Sequence, residues 1–532
     1  MSARAPTESA GVAGRAVRPE EPARGWHRVR LPWSFGSGPD VARLFGMLLA
    51  LISLVAWLSL GVQVRRLIGA RGLLPVADFV AAVREAGLAR FRNLPTIFLW
   101  TQSDGALVAG VVVGVALSLV ALLGYRRRLC FALIGALYLS YAAAARVFLS
   151  FQWDNLLLES CLLAVFLPSN RRAPWAHFLF RVLLFKLYFE SGLAKWQSPL
   201  HDWQDGSAMT YYYETAPLPT ALAFYAHHLP AWWHHLESRA TLVLELVVPL
   251  AIFGPRRARL AAAVAFTGFQ LVNALTANYG FFCYLAAALH VFLLDDADLA
   301  RLRRFLLPRL AAPAEPAPPR DAADAQDLAD ARVLDRAAAV TGVAVYLVLS
   351  LAEAAFAFGG GGEPGVVLAA LGPLVDRAET LRLVNTYHLF ASITRERIEP
   401  EFQTLAAGDE SDDAAWTAHD LRHKAGDPRR APDFVAPHQP RLDFQLWFHG
   451  LGFRRGQPPY VHMLLERMCE DSAAVRPFFS ELGDAMPAHP RAVRVVYWQY
   501  HFATPAEKRA TGAWWTRERL AATPPVPCPV AP

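Results

Sequence analysis

LFGMLLALISLVAWLSLGV, residues Leu44–Val62, runs for nineteen positions without a charged side chain. At 1.5 Å per residue, a helix of that length covers about 29 Å, close to the roughly 30 Å hydrocarbon thickness of a bilayer. An apolar run inside a soluble core is usually shorter, about 10–14 residues. Residues 44–64 are therefore predicted to be a transmembrane helix. The run starts too far into the chain to be a cleaved signal peptide.

The same reading continues outward. Further apolar segments lie at 106–124, 129–149, 155–168, 175–196, 239–254, 260–277, 279–294 and 333–358, which gives about nine spans. The fourth and sixth spans are short. Composition agrees: 54% of residues are hydrophobic and 18% charged, where soluble domains carry about 25% charged. A net charge of +6 would hint at nucleic acid in a soluble protein. Here the basic residues flank apolar segments, where they set membrane orientation, so no nucleic-acid partner is expected.

Loop charges test the topology. With the N-terminus cytoplasmic, the cytoplasmic loops hold Arg126-Arg127-Arg128, Arg171-Arg172, Arg256-Arg257 with Arg259, and Arg301, Arg303, Arg304 and Arg309. The short outside links near 150–154 and 277–279 hold no Lys or Arg. Segment 65–105 is the exception, with six arginines. Val76, Phe79, Val80, Val83, Leu88 and Phe91 fall there at helical spacing, which predicts an amphipathic helix on the membrane surface. An odd number of spans puts the C-terminal domain outside.

The remaining organisation follows from composition. Residues 1–43 read as a disordered cytoplasmic arm. The transmembrane domain is 44–358, with an outside aromatic loop at 196–238 and a cytoplasmic linker at 295–332. Residues 359–374 read as a second linker, whose Gly360, Gly362 and Gly365 match GxGxxG by accident, since no strand precedes them. Residues 375–520 read as a small soluble α+β domain: β-favouring over Leu383–Glu401, loop-like over 410–440, mainly helical over 441–500. A Pro-rich tail, 521–532, ends the chain. The fold class is thus an α-helical multipass membrane protein with a small soluble C-terminal domain. Cys130, Cys161, Cys283, Cys469 and Cys528 form no CxxC pair, which excludes a dense disulfide scaffold or a zinc finger. No N-x-S/T sequon occurs.

Charges inside a membrane are costly and mark sites. Segment 175–196 holds Arg181, Lys186, Glu190 and Lys195. Lys186 and Glu190 share a helical face, with Arg181 and Lys195 on another. Asp154, Glu159 and Glu245 are candidate partners. Lys186, Glu190 and Lys195 are candidates for a polar pocket or proton-handling site, and a buried structural ion network is the competing reading. In the loop 196–238, His227-His228 and His234-His235 match no zinc spacing, so no metal and no cofactor is expected. Its Trp and Tyr residues suit an interfacial belt or an aromatic binding surface. HExxH, GxSxG and P-loop patterns are missing, which weakens hydrolase, zinc-protease and nucleotide-driven readings.

Several segments together resemble the lipase maturation factor family. They are Phe151-Gln152-Trp153-Asp154-Asn155-Leu156-Leu157-Leu158-Glu159, Glu190-Ser191-Gly192-Leu193-Ala194-Lys195-Trp196, Tyr213-Glu214-Thr215 with Pro217-Leu218-Pro219, Glu245 with Pro249, and Asn278-Tyr279-Gly280-Phe281-Phe282. The likeness resumes at Val384-Asn385-Thr386-Tyr387, Thr394-Arg395-Glu396-Arg397, Pro437-His438, Arg441-Leu442-Asp443 and Trp447-Phe448, and closes at Tyr497, Tyr500, Phe502 and Trp514-Trp515. The motifs keep the family's order over about residues 45–520. His423-Lys424-Ala425-Gly426 stands where the family often has a Cys-Lys-Pro-Gly-like stretch, which puts a redox role there in doubt.

The resemblance implies a membrane-embedded, chaperone-like maturation factor that helps secreted lipases fold and assemble, and is not itself a lipase. The implied membrane is the endoplasmic reticulum in a eukaryote and the inner membrane in a bacterium. The partners are the lipid bilayer and a secreted client, a lipase. Candidate client contacts are Tyr387, Arg395, Trp447, Phe448, Trp514 and Trp515, with the domain's own core as the competing reading for each. The membrane part more distantly resembles that of vitamin K-dependent gamma-carboxylases, through Gly72-Leu73-Leu74-Pro75 and Trp203 with Gly206. That likeness implies the alternative: an enzyme acting on a lipid or quinone-like substrate, with an intramembrane lysine as base. A transporter would need an internal repeat, and none is evident.

Overall fold

A computed structural model describes residues 38–87, 93–170, 172–306, 324–360, 365–481 and 486–529, with side chains left aside over 324–339. The arm over 1–37, Leu88, Arg90, Phe91 and Arg92, Arg171, Gly362, and linker residues 307–323 with Arg309 lie outside the described residues.

The first part is helical. The helices are α1 (Pro39–Gly61), α2 (Val64–Ile68), α3 (Val76–Glu85), α4 (Asp104–Leu122), α5 (Arg127–Ala145), α6 (Gln152–Val165) and α7 (Pro174–Trp196), followed by α8 (Asp202–Asp205), α9 (Ala208–Thr215), α10 (Ala221–His227), α11 (Ala231–Leu246), α12 (Arg256–Thr276), α13 (Phe282–Leu289), α14 (Asp296–Leu306), α15 (Asp324–Phe358) and α16 (Val366–Thr380). Five helical stretches are long and apolar enough to cross a membrane: Pro39–Gly61, Asp104–Leu122, Arg127–Leu149, Arg256–Thr276 and Val340–Phe358.

The other four expected spans are helical but fall short of that measure. α6 has only 14 residues and α13 with its 3₁₀ turn ends at Leu293. α7 is long enough but carries four charges along its length. α11 breaks at Val247 into a 3₁₀ helix, Val248–Phe253, because Pro249 cannot donate to the helical ladder.

The C-terminal part is an antiparallel sheet with short helices. Strands β1 (Arg397–Leu405), β2 (Trp416–His419), β3 (Ala492–Phe502), β4 (Trp515–Ala522) and β5 (Val526–Pro527) take the order β2-β1-β3-β4, with β5 also on β3. Helices α17 (Arg441–Leu451), α18 (Pro459–Glu470), α19 (Ser472–Val475) and α20 (Pro505–Thr511) complete it. α17 lies directly on β1. Gly450 makes this possible, because a Cβ there would collide with the Ile398 carbonyl oxygen.

The helices have two chemically different ends. At one, Arg43 donates to the Ser169 carbonyl (2.9 Å), Arg259 pairs with Asp295 (3.0 Å) and Arg256 pairs with Asp298. At the other, the C-terminal part docks. Ser59, near the end of α1, meets His438 Nδ1 and the Gln439 N–H, each at 2.9 Å. Asn278, just past α12, accepts from the N–H groups of Val435 (2.8 Å) and Ala436 (3.0 Å) and donates to the Asp433 carbonyl (2.8 Å).

Several sequence expectations change. Residues 39–43, expected in the disordered arm, are the first turn of α1. The expected loop 196–238 folds into α8, α9, α10 and the start of α11, since its apolar residues bury one face of each turn. The linker 359–374 contains the start of α16, and the linker 295–332 contains α14 and the start of α15. Leu383–Glu401 becomes strand only from Arg397; before that it is irregular chain pressed into the helices. The stretch 441–500, expected mainly helical, holds the eleven-residue strand β3. The Pro-rich tail contains β5, paired with β3, and Cys528, in a disulfide with Cys469.

Candidate functional site

α7 is the axis of the site. Along it the sequence places four charges, and a buried charge is tolerable only with partners. Gly192 lets it press against α11, since a Cβ there would meet the Glu245 backbone.

Four buried carboxylates, Asp154, Glu159, Glu190 and Glu245, organise the polar groups. Asp154, in the first turn of α6, accepts from Tyr138 Oη (2.6 Å) and from both guanidinium arms of Arg441 (2.6 and 2.8 Å). Arg441 also donates to the Phe148 carbonyl at 2.8 Å. Both members of the pair are shut off from solvent, at 0% and 1% exposure.

Glu159, one turn further along α6, is saturated. Lys186 Nζ lies at 3.1 Å and Tyr346 Oη at 2.5 Å from Oε1, while Asn385 Nδ2 at 2.9 Å and Tyr387 Oη at 2.8 Å reach Oε2. Glu190 accepts from the Tyr387 backbone N–H at 2.9 Å. Lys186 and Glu190 thus share a face, yet Lys186 pairs with Glu159, and Glu190 serves the incoming chain.

Glu245 pairs with Lys195 at 2.8 Å, and Lys195 also donates to the Leu389 carbonyl at 2.7 Å. Its ammonium lies 5.2 Å from the Trp203 ring. Arg181 stands apart: it donates to the Phe292 carbonyl at 2.9 Å and touches none of these carboxylates.

The common theme is chain from beyond residue 380 filling polar sockets in the helices. Burying a charge is tolerable only when it is paired and hydrogen-bonded. Here Asn385, Tyr387, Leu389 and Arg441 complete the sockets. A second set of contacts works the same way further out. Arg397 donates to the Glu214 (2.9 Å) and Ala216 (2.6 Å) carbonyls and pairs with Glu399 (2.6 Å). Glu214 accepts from the Phe502 N–H at 2.7 Å. Lys424, of the departing His423-Lys424-Ala425-Gly426 stretch, pairs with Glu399 at 2.9 Å, and burial pushes its ammonium below the usual lysine range.

Chemically, each lysine is engaged by a carboxylate, and the carboxylates are taken up by donors from two parts of the chain. This is the arrangement of an interlock. Among the described residues, no group of three or more His, Cys, Asp or Glu side chains is placed to hold a metal. His227, His228 and His234 instead reach Glu214, the Phe224 carbonyl and Glu237.

The interlock leaves an open groove of about 660 Å³ where the two parts meet. Phe151 and Trp153 line it from the helices, Phe390 from the inserted chain, and Phe444, Trp447 and Phe448 from α17. Of the six candidate client contacts, Phe448 (46% exposed) is the apolar one at the surface, and Arg395 is exposed beside Tyr211. Trp447 is half-buried, with its Nε1 on the Thr215 carbonyl at 2.8 Å. Tyr387 and Trp515 are core residues instead, Tyr387 in the Glu159 socket and Trp515 stacked on Phe502. Trp514 is half-buried, with Lys508 above its ring at 3.7 Å.

Tyr138, Tyr346 and Arg382 escaped the sequence reading. A tyrosine in an apolar helix gives no warning that it will meet a carboxylate. Arg382 reaches the Leu149 carbonyl at 2.8 Å and Asn155 at 2.9 Å from the turn just past α16.

A family model described as "Lipase maturation factor transmembrane domain" matches residues 41–301, and one described as "Lipase maturation factor C-terminal domain" matches residues 383–525. Lipase maturation factor 1 of Bos taurus is 30% identical over 496 residues, covering 89% of this chain and 86% of that protein. Lipase maturation factor 1 of Homo sapiens is 30% identical over 514 residues, covering 89% and 85%. Lipase maturation factor 2 of Rattus norvegicus is 29% identical over 587 residues, covering 90% and 81%. No solved structure matches the chain.

Proposed function

The chain belongs to the lipase maturation factor family, and from that premise we propose that it is a membrane-embedded maturation factor for secreted lipases. One observation carries the reading: the groove at the junction of the two parts, framed by the buried ion pairs that join them and lined on two sides by aromatic side chains. A folding client exposes apolar surface before its domains pair, and such surface aggregates when unprotected. A rigid aromatic groove offers that surface a temporary partner.

In this reading the helical part crosses the membrane about nine times. The four helical segments that fall short of a free-standing span would cross as part of the bundle, their charges sheltered by neighbours. The N-terminus is cytoplasmic and the C-terminal part faces the non-cytoplasmic side, the lumen of the endoplasmic reticulum or the periplasm. Two independent features support that orientation. Arg43, Arg256 and Arg259 gather at the end opposite the docked part. The Cys469–Cys528 disulfide belongs to an oxidising compartment, whereas Cys130, Cys161 and Cys283 in the helices are free.

The test is to delete this chain in its source cell and measure both the amount and the specific activity of secreted lipase. Persisting lipase protein with lost activity and aggregated enzyme is expected. Soluble, fully active lipase would end the client assignment.

A further inference from the structure

The groove at the junction has two kinds of lining. Phe151, Phe444, Trp447 and Phe448 supply an aromatic one. The other is polar and includes two carboxylates, Glu353 on α15 and Glu379 on α16. Glu353 is half-buried and Glu379 is exposed. Among the described residues, no lysine or arginine lines the groove. His388 also lines it, but an ordinary imidazole titrates near 6.5 and brings little charge at neutral pH.

The surrounding charges do not restore the balance. Glu353 stands near Glu159, Glu190 and Glu379, with Lys186 as the one cation beside it. Lys186 is already bound to Glu159 at 3.1 Å. Glu159 is taken up further by Tyr346, Asn385 and Tyr387, and Glu190 accepts from the Tyr387 N–H. Among the described residues, no donor or cation of this kind reaches Glu353 or Glu379. The interlock thus spends its cations on the inner carboxylates and leaves the two that line the groove open. Glu353 moreover lies within Val340–Phe358, a stretch fit to cross a membrane, where a charge marks a site.

We propose that the groove selects client segments in which a lysine or arginine lies within a few residues of a large apolar side chain. The inference rests on the reading of the groove as the place where the client docks. The apolar side chain packs against Trp447 and Phe448, and the cation meets Glu353 and Glu379. Partial shelter from water strengthens that attraction. An acidic segment is turned away, because like charges brought together count against a wrong partner. A bare metal ion or a polyamine would leave the aromatic lining uncovered. At about 660 Å³ the groove is within the range that encloses a drug-sized molecule, so it admits a few side chains of an unfolded segment and not a folded domain.

The experiment uses the full chain in detergent and three capped, fluorescein-labelled octapeptides. They share a Leu-Phe pair and differ at one position two residues away, which holds lysine, glutamine or glutamate. At low salt the lysine peptide should bind about tenfold tighter than the glutamine peptide, and the glutamate peptide should bind weakest. Added salt should narrow the difference, since it screens exposed charge. Glu379→Lys should reverse the order, so that glutamate is preferred over lysine. Glu353→Gln should narrow the preference without abolishing binding. Phe448→Asp should weaken the lysine and glutamine peptides alike. If that variant weakens both but lysine and glutamine peptides bind equally to the unaltered chain, the groove docks a client and the charge selection is overturned. If Phe448→Asp changes neither, the docking reading itself falls, and this inference with it. Displacement of the lysine peptide by micelles of an ethanolamine phospholipid, but not of a choline one, would make a lipid ammonium the occupant and also overturn the proposal. If Glu353→Gln failed to fold, the reversal at the exposed Glu379 would still decide.

Discussion

Asp154 and Arg441, 287 positions apart, form a two-armed ion pair with hydrogen bonds of 2.6 and 2.8 Å, and neither touches solvent. One comes from the first turn of a helix in the helical part, the other from the first turn of α17. The pair joins the two parts at a point where water cannot compensate a broken contact.

Removing one partner should therefore be severe. Arg441→Met leaves Asp154 buried with only Tyr138 for company, and losses from breaking such pairs run about 3–5 kcal/mol. Arg441→Lys should recover little, because one ammonium cannot reproduce both arms and the bond to the Phe148 carbonyl. Thermal unfolding in detergent measures both. A lysine variant as stable as the parent would show that charge alone matters there, and the interlock account would lose its geometric basis.

Two histidines of the C-terminal part should make it acid-sensitive. Burial, with His462 nearby, pushes His449 down to about 4, and burial, with His423, Arg441 and Arg422 around it, pushes His438 to about 4. Both start from an ordinary value of 6.5. Between those values the unfolded chain binds protons that the folded chain refuses, so stability rises with pH. The contribution is complete above 6.5 and is lost as pH falls toward about 4. For His449, 5% exposed, it amounts to about 3 kcal/mol. Urea midpoints taken from pH 7 to 4 should fall, and His449→Gln should flatten the slope while leaving the hydrogen-bonding position facing Tyr497. An unchanged slope in that variant would place the acid sensitivity elsewhere.

The Cys469–Cys528 bond closes a loop 59 residues long and fixes the end of the chain to α18. Cys528→Ser should destabilise the C-terminal part by roughly 2–4 kcal/mol. It should also free residues beyond Ala522 for proteolysis, since β5 pairs at only two positions. Limited digestion followed by mass measurement reads this directly. A tail that stays protected without the disulfide would mean that strand pairing alone holds it.

The sequence made the helical segments and the charges of α7 legible, because an uncharged run of membrane length and a charge inside one are both rare. Glu159 and Glu245 were visible as partners for the same reason. The donors from the other part were not. Asn385, Tyr387 and Arg441 are separated from their sockets by 197 to 287 residues, and no local period encodes such a meeting. The strand β3 was hidden by its own burial. From Ala492 to Tyr497 every side chain is covered, so the alternation that marks a half-buried strand is missing. The pairing of Cys528 with Cys469 was not legible, because 59 residues separate them and no spacing motif marks the pair.

The groove reading separates two aromatic residues that look alike in sequence. Phe448 is 46% exposed on α17 and Trp515 is 2% exposed on β4. Trp515 stacks on Phe502 at 4.3 Å and lies 5.1 Å from the Arg397 guanidinium, so Trp515→Ala should cost about 3–5 kcal/mol and lower the amount of this protein in the membrane. Phe448→Asp should leave the amount unchanged, because an exposed substitution shifts stability by about 0.5 kcal/mol or less. It should nevertheless lower the specific activity of the secreted lipase, since a carboxylate set among Phe151, Phe444 and Trp447 repels the apolar surface that this aromatic side of the groove is meant to hold. Quantifying this chain and the lipase in the same cells distinguishes the cases. If Phe448→Asp supported full lipase activity at normal protein level, the client would dock elsewhere, and the exposed Trp196 and Trp232 would be the next place to test.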